Sequence, residues 1–163
     1  MKRLSTLFVA FMATTCLWAS GFQIGYFFYE FTSENTVELD YAEDEITQAV
    51  IPNTVTYKGK TYSVTSIGTD AFYECTKLIS VTIGNNVKRI GQDAFAECTA
   101  LQSVIIGNGV THIADGAFCL CDCLSSISYK GTKEQWHKIV KGKELNYDSP
   151  VRSVNCTNGV VAL

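Results

Sequence analysis

The stretch VTSIGTDAFYECTKLISVTIGNN (residues 64–86) runs directly into VKRIGQDAFAECTALQSVIIGNG (87–109) and then VTHIADGAFCLCDCLSSISYKGT (110–132). Aligned without gaps, the 23-residue blocks are identical in seven columns. These are Val64/Val87/Val110, Ile67/Ile90/Ile113, Ala71/Ala94/Ala117, Phe72/Phe95/Phe118, Cys75/Cys98/Cys121, Leu78/Leu101/Leu124 and Ser80/Ser103/Ser126. Only the serine column is polar. A unit this short cannot bury its own apolar face, so the copies must stack and share one continuous core. The repeat therefore predicts a solenoid, an architecture that presents extended surface.

Within one unit the pattern reads as strand, bend and short turn. In residues 78–83, Val81 and Ile83 alternate inward at period two. Gly84-Asn85-Asn86 bends the chain, because Gly and Asn tolerate positive φ. Ile67, Ala71, Phe72, Cys75 and Leu78 follow a spacing of three to four, which predicts a short helical or 3₁₀ turn with Asp70 and Asp93 as caps. Stacked strands at the ordinary ~4.8 Å spacing form a narrow parallel ladder.

On the amino-terminal side, residues 21–63 read as a β cap. An aromatic run (26–31), a turn at Ser33-Glu34-Asn35 and an alternating run (37–41) come first. A hairpin around Lys58-Gly59-Lys60 follows, and Pro52 suits a strand end or sheet edge. On the carboxyl side the third unit, taken as 110–129, degrades: Gly91 is matched by Ala114, Gly107 by Lys130 and Ile106 by Tyr129. Terminal repeats depart from the pattern because they close the core. Thr132-Lys133-Glu134-Gln135 has capping-box form, so a helix over 133–140 is expected, with Trp136, Ile139 and Val140 over the end of the stack and Gly142 as its stop. A last strand over 151–156 completes a carboxyl-terminal cap over 130–163.

The chain opens with Lys2 and Arg3, an apolar run from Leu4 to Trp18 and small residues at Ala19, Ser20 and Gly21, the order of a secretory signal peptide over residues 1–20. The run is short for a membrane span, which needs roughly 20 apolar residues. Cys16 raises a lipid anchor, although Ala13-Thr14-Thr15 matches a lipoprotein cleavage box poorly. Without residues 1–20, 11 basic residues stand against 16 acidic ones. That balance argues against nucleic acid as a partner, which needs a basic face. Of the seven cysteines, Cys75, Cys98 and Cys121 fall in one inward column, where a thiol behaves as a small hydrophobe. Any disulfide should use a pair from Cys119, Cys123 and Cys156. Cys119-x-Cys121-x-Cys123 lacks the paired spacing of structural zinc sites, so no metal is expected.

The pattern V-x-x-I-G-x-x-A-F-x-x-C-x-x-L-x-S-V-x-I-G-N, read from residues 64–86 and 87–109, resembles the BspA-type leucine-rich repeat, also called the Treponema pallidum type. The lead-in IPNTVTYKGKTYSVTSIG (51–68) and the ending GTKEQWHKI (131–139) are similar to flanks in that family, so the resemblance covers roughly residues 50–158. It implies a leucine-rich-repeat solenoid, curved and right-handed, in exported or surface proteins of host-associated microbes. The expected fold is mostly β with short helical or 3₁₀ turns, three coils, a β-hairpin amino-terminal cap and a helix-plus-strand carboxyl-terminal cap. Some members of the family are implicated in adhesion to host matrix proteins and other cells. It has no shared catalytic residues, so none is carried over.

The residues themselves also argue against an enzyme. His112 shares a variable outward position with Ser66 and Arg89, and His137 lies beside Trp136; neither partners a nucleophile. No cofactor is called for. The surface expected to act is the exposed side of the ladder, where Ser80, Thr82, Ser103, Ile105, Ser126 and Ser128 alternate with buried residues. It would bind a protein partner, a host matrix glycoprotein or another bacterial surface protein, with Ile105 as its apolar anchor. The alternative is a carbohydrate-binding accessory protein that uses exposed aromatics at Tyr26, Tyr29 and Tyr73. Either way the protein is expected to be secreted or on the cell surface, touching membrane only through the leader or a lipid anchor.

Overall fold

Each repeat winds into one coil, and successive coils are joined by two β-ladders and a column of turns. The computed structural model describes residues 21–163; the expected leader over 1–20, with Cys16, lies outside the described residues. The amino-terminal part carries β1 (Phe22–Ile24), β2 (Phe27–Phe31), β3 (Thr36–Ala42), β4 (Gln48–Ile51), β5 (Thr54–Tyr57) and β6 (Lys60–Ile67). The repeats add β7 (Ser80–Ile83), β8 (Arg89–Ile90), β9 (Ser103–Ile106), β10 (His112–Ile113) and β11 (Ser126–Tyr129). Then come α1 (Lys133–Lys138), β12 (Val140–Lys141), β13 (Ser153–Cys156) and β14 (Gly159–Ala162). One sheet has the order β14-β13-β11-β9-β7-β4, parallel except for the antiparallel β14. The other runs β1-β2-β3-β6-β8-β10-β12, with β5 folded back onto β6.

Register follows the repeat. Ser80 faces Ser103 and Ser103 faces Ser126, while Val81, Val104 and Ile127 align behind them. The inward column is buried and the outward one is not, because period-two alternation sends successive side chains to opposite faces.

The turns differ from the expected helical or 3₁₀ conformation. Asp70 and Glu74 have φ of 58° and 57°, and Asp93 and Glu97 have 50° and 58°. A left-handed residue every fourth position cannot sit inside a right-handed helical turn. Alternate N–H groups therefore turn toward the next coil: Asp70, Phe72 and Glu74 donate to the carbonyls of Gln92, Ala94 and Ala96, while Tyr73 and Cys75 donate within their own turn. Asp93, Phe95 and Glu97 repeat this with Asp115, Ala117 and Cys119. Asp70 and Asp93 are thus left-handed turn residues, not helix caps. Among the described residues the α-helix is α1 alone.

Behind the turns the invariant phenylalanines stack. Phe72 and Phe95 lie 4.8 Å apart at 19°, and Phe95 and Phe118 lie 5.4 Å apart at 10°. Phe27 covers the amino-terminal end of that stack edge-on, 6.1 Å from Phe72 at 69°. Such pairs contribute roughly 0.5–1.5 kcal/mol beyond area burial. Two glycine columns let the coils close: a Cβ on Gly91 would lie 2.4 Å from the Gly68 carbonyl oxygen, and one on Gly107 2.5 Å from that of Gly84.

The ladder extends past the three repeats at both ends. β4 pairs with β7 so that Ala49 and Ile51 continue the columns of Val81 and Ile83. β13 does the same on β11. The turn at the carboxyl end repeats the left-handed pair at Glu144 and Asp148, with φ of 53° and 51°. Gly116, Phe118 and Leu120 donate to Lys143, Leu145 and Tyr147 in the established pattern.

The helix forms with both halves of its capping box, Gln135 N–H donating to Thr132 Oγ1 and Gln135 Oε1 accepting from Thr132 N–H. Trp136 and Ile139 are buried over the stack. Val140 differs from expectation: it leaves the helix for β12 and is exposed. Gly142 does not stop the helix, which ends at Lys138. It is a close-contact position, since a Cβ there would lie 2.3 Å from the Asp115 backbone nitrogen.

Candidate functional site

The six ladder residues expected to act together do share one face. Two outward rows run across the strands, ~4.8 Å apart from rung to rung. In one, Gln48, Ser80, Ser103 and Ser126 are neighbours. In the other, Val50, Thr82, Ile105 and Ser128 are neighbours, continued by Asn155 and Val160. No residue of these rows is ionisable. The hydroxyls are partly exposed, Ile105 is 37% exposed and Val50 is 66% exposed. Val50 and Ile105 flank Thr82 and form a pair of apolar anchors.

Val50 and Asn155 were not among the expected site residues. The alternation of Ala49, Val50 and Ile51 in the sequence carries the signal for Val50. Pro52 directs that reading toward a sheet edge, and β4 is indeed the last strand of its sheet.

The end of the face is bordered by an asparagine step. Asn85 N–H donates to Asn53 Oδ1 at 2.6 Å, and Asn108 N–H donates to Asn85 Oδ1 at 3.3 Å. These bonds fix the bend after each strand and set the rung spacing. A shallow depression lined by Val50, Pro52, Asn53, Thr82, Asn85 and Lys130 opens beside it.

The three tyrosines of the alternative site are separated by the fold. Tyr29 is 1% exposed, contrary to the expectation that its ring is available. Phe22 stacks on it at 5.5 Å and on Tyr57 at 4.3 Å, so the aromatic run closes the end of the core. Burial pushes the Tyr29 hydroxyl up to about 12. Tyr26 and Tyr73 are exposed, but the Tyr73 hydroxyl is engaged, donating to Glu97 Oε1 at 2.7 Å. That bond, helped by carboxylates along the same turns, raises Tyr73 to about 12. Across β2 and β3 the half-buried Phe28 stacks on the exposed Tyr41 at 5.3 Å.

The inward cysteines Cys75, Cys98 and Cys121 are packing residues. Cys98 Sγ donates to the Phe72 carbonyl at 3.0 Å and Cys121 Sγ to the Phe95 carbonyl at 3.1 Å. Ser149 takes the same position in the next coil, its Oγ donating to the Phe118 carbonyl at 2.6 Å. The column therefore selects a small hydrogen-bond donor as well as a small volume. Burial pushes Cys75 and Cys121 up to about 12 and Cys98 higher still, which keeps the reactive thiolate unpopulated. Cys119, Cys123 and Cys156 are free thiols, so no pair of them forms the disulfide that the sequence allows. Among the described residues no group of three or more His, Cys, Asp or Glu could hold a metal ion, and no helix is long and apolar enough to cross a membrane.

Comparison with known proteins points to one family. The description "BspA type leucine rich repeat region" matches residues 40–157 in six copies. No curated protein matches the chain. A leucine-rich repeat protein of Bacteroides capillosus is 29% identical with a TM-score of 0.70, over 84% of this chain and 98% of its own length. One from Bacteroides ovatus is also 29% identical, with a TM-score of 0.68 over 83% of this chain. The match spans only 37% of that longer protein. The leucine-rich repeat protein of T. pallidum is 26% identical with a TM-score of 0.57, over 65% of this chain and 51% of its own.

Proposed function

The chain belongs to the BspA-type leucine-rich repeat family, and from that premise we propose that it is an exported, non-catalytic interaction module. Its ladder face captures a protein partner at the cell surface or in the surrounding medium, in the manner of an adhesin. The observation that carries this reading is the uncharged outward face, where Val50 and Ile105 stand exposed in one row across parallel strands. An exposed apolar residue within a polar surround is what a protein interface uses as an anchor. With no charge on the two rows, docking there desolvates no ion. The sequence of the leader supports export, and matrix glycoproteins and other bacterial surface proteins are the partners to try first. The carbohydrate alternative has lost Tyr29 to the core and is not carried further.

The test is binding to an array of matrix glycoproteins, bacterial surface proteins and polysaccharides at low and moderate salt. A saturable protein hit that survives moderate salt and is lost in Ile105→Asp supports the proposal. A glycan-only hit, or a protein hit indifferent to Ile105→Asp, overturns it.

A further inference from the structure

The six-stranded sheet ends in β14, whose outer edge has no strand against it among the described residues. Which groups that edge presents follows from the register. Leu163 N–H donates to the Arg152 carbonyl, and Val161 lies opposite Val154. In an antiparallel pair the hydrogen-bonded positions alternate, so Val161 and Leu163 spend their backbone groups on β13. Val160 and Ala162 direct theirs outward.

That edge lacks the charged side chains and proline that keep many strand edges apart. Residues 157–163 read TNGVVAL, with no charge and no proline, whereas protected edges carry Lys, Pro or a bulge. At the opposite end of the same sheet, β4 is followed directly by Pro52. The edge is also held in place. Asn158 Oδ1 accepts from Lys133 N–H at 2.8 Å and Asn158 Nδ2 donates to Glu134 at 3.1 Å. Thr157 N–H donates to the Gly131 carbonyl at 2.9 Å. The hairpin tip is thereby tied to the first turn of α1, so a docking strand need not order it. Val160 is 60% exposed and Leu163 38% exposed, and they lie on opposite faces of the strand.

We propose that β14 pairs with β14 of a second copy of this chain, antiparallel across a two-fold axis at Val161. The self-complementarity of the segment argues for that occupant. Val160 of one copy meets Ala162 of the other, Val161 meets its own counterpart, and no like charges are opposed. Each Val160–Ala162 pair exchanges both of its main-chain bonds, giving about four in all. The second copy covers Leu163 and Val161 on the core side and Val160 on the outer side. Two six-stranded sheets become one continuous sheet, with two ladder faces side by side. A contact this short lies below the size of permanent dimers, so the association is reversible and depends on concentration.

The test is sedimentation equilibrium on protein purified after expression of the full chain for export. Self-association into dimers is expected within the micromolar to millimolar range. Val160→Pro removes an outward N–H without touching the β13 ladder, and Val160→Lys sets like charges across the two-fold axis. Each should weaken dimerisation about 10-fold or more while circular dichroism and the thermal midpoint hold. Ile105→Asp should leave dimerisation unchanged. A wild-type protein that stays monomeric to about 1 mM overturns the proposal. So does a dimer that survives both Val160 variants, or one that Ile105→Asp dissolves.

Discussion

Phe95 and Ile105 belong to the same coil, ten residues apart, and both are large and apolar. Phe95 is wholly buried in a stack with Phe72 and Phe118, while Ile105 is 37% exposed in a row that is otherwise Thr, Ser, Asn and Val. Their columns differ in the same way. Phenylalanine recurs in all three repeats at the first position, whereas the second holds Thr82, Ile105 and Ser128. The inner column must match its neighbours above and below, because adjacent rings occupy one another's contact surface. The outer row meets solvent and is constrained only by the width of a rung. The comparison separates what holds the solenoid together from what it has available for partners.

The largest effect should come from the inner column. Phe95→Ala removes the middle ring of the stack and should cost about 3–5 kcal/mol, read as a large drop in the urea midpoint. A loss under about 1 kcal/mol would mean that the coils are held mainly by their backbone ladders. Gly107→Ala comes next. Its Cβ would lie 2.5 Å from the Gly84 carbonyl oxygen, so the coils must part, at about 1–3 kcal/mol as for overpacking. Full stability in this variant would show that the bend is looser than its geometry.

The thiol column should make stability fall in alkali. Burial raises Cys75 and Cys121 from the ordinary 9.0 to about 12. Below pH 9 these thiols are protonated both folded and unfolded, and their packing contributes fully. As pH climbs toward 12 the unfolded chain releases protons that the folded chain retains, so stability is lost across that window. Denaturant melts at pH 8 and pH 10.5 should show the decline, smaller in Cys75→Ala/Cys121→Ala. An unchanged slope in that double variant would place the decline elsewhere. The smallest effect on stability belongs to Ile105→Asp, within about 0.5 kcal/mol as for other surface changes, even as binding disappears. A large loss instead would make Ile105 part of the core and erase the contrast with Phe95.

The ends of the molecule were less legible than its middle. Within residues 64–129 period-two alternation announced both faces of β7, β9 and β11. At the amino-terminal end four aromatics in a row, Tyr26 to Tyr29, showed no alternation that singled out Tyr29. Its burial depends on Phe22 and Tyr57, brought against it by β1 and β5. At the carboxyl end Ser149 replaces a cysteine, and the carbonyl bond that makes the two equivalent is a contact between coils. The turns were misread for a related reason. Ile67, Ala71, Phe72, Cys75 and Leu78 have helical spacing, and nothing local reveals that the N–H groups of Asp70 and Phe72 are claimed by the next coil.

The sequence by itself determined that the units stack, which columns face inward and where the repeating pattern breaks down. Those properties follow from the recurrence of apolar residues and from the inability of a 23-residue unit to bury them alone. Tertiary structure alone decided that the turns are left-handed and not helical, that Tyr29 is core, and that Val50 joins Ile105 on one face. It also decided that β14 turns back to leave an edge with no strand against it among the described residues. Each of these depends on groups far apart in the chain competing for the same hydrogen bonds or the same volume, and that competition is settled only once the coils are in contact.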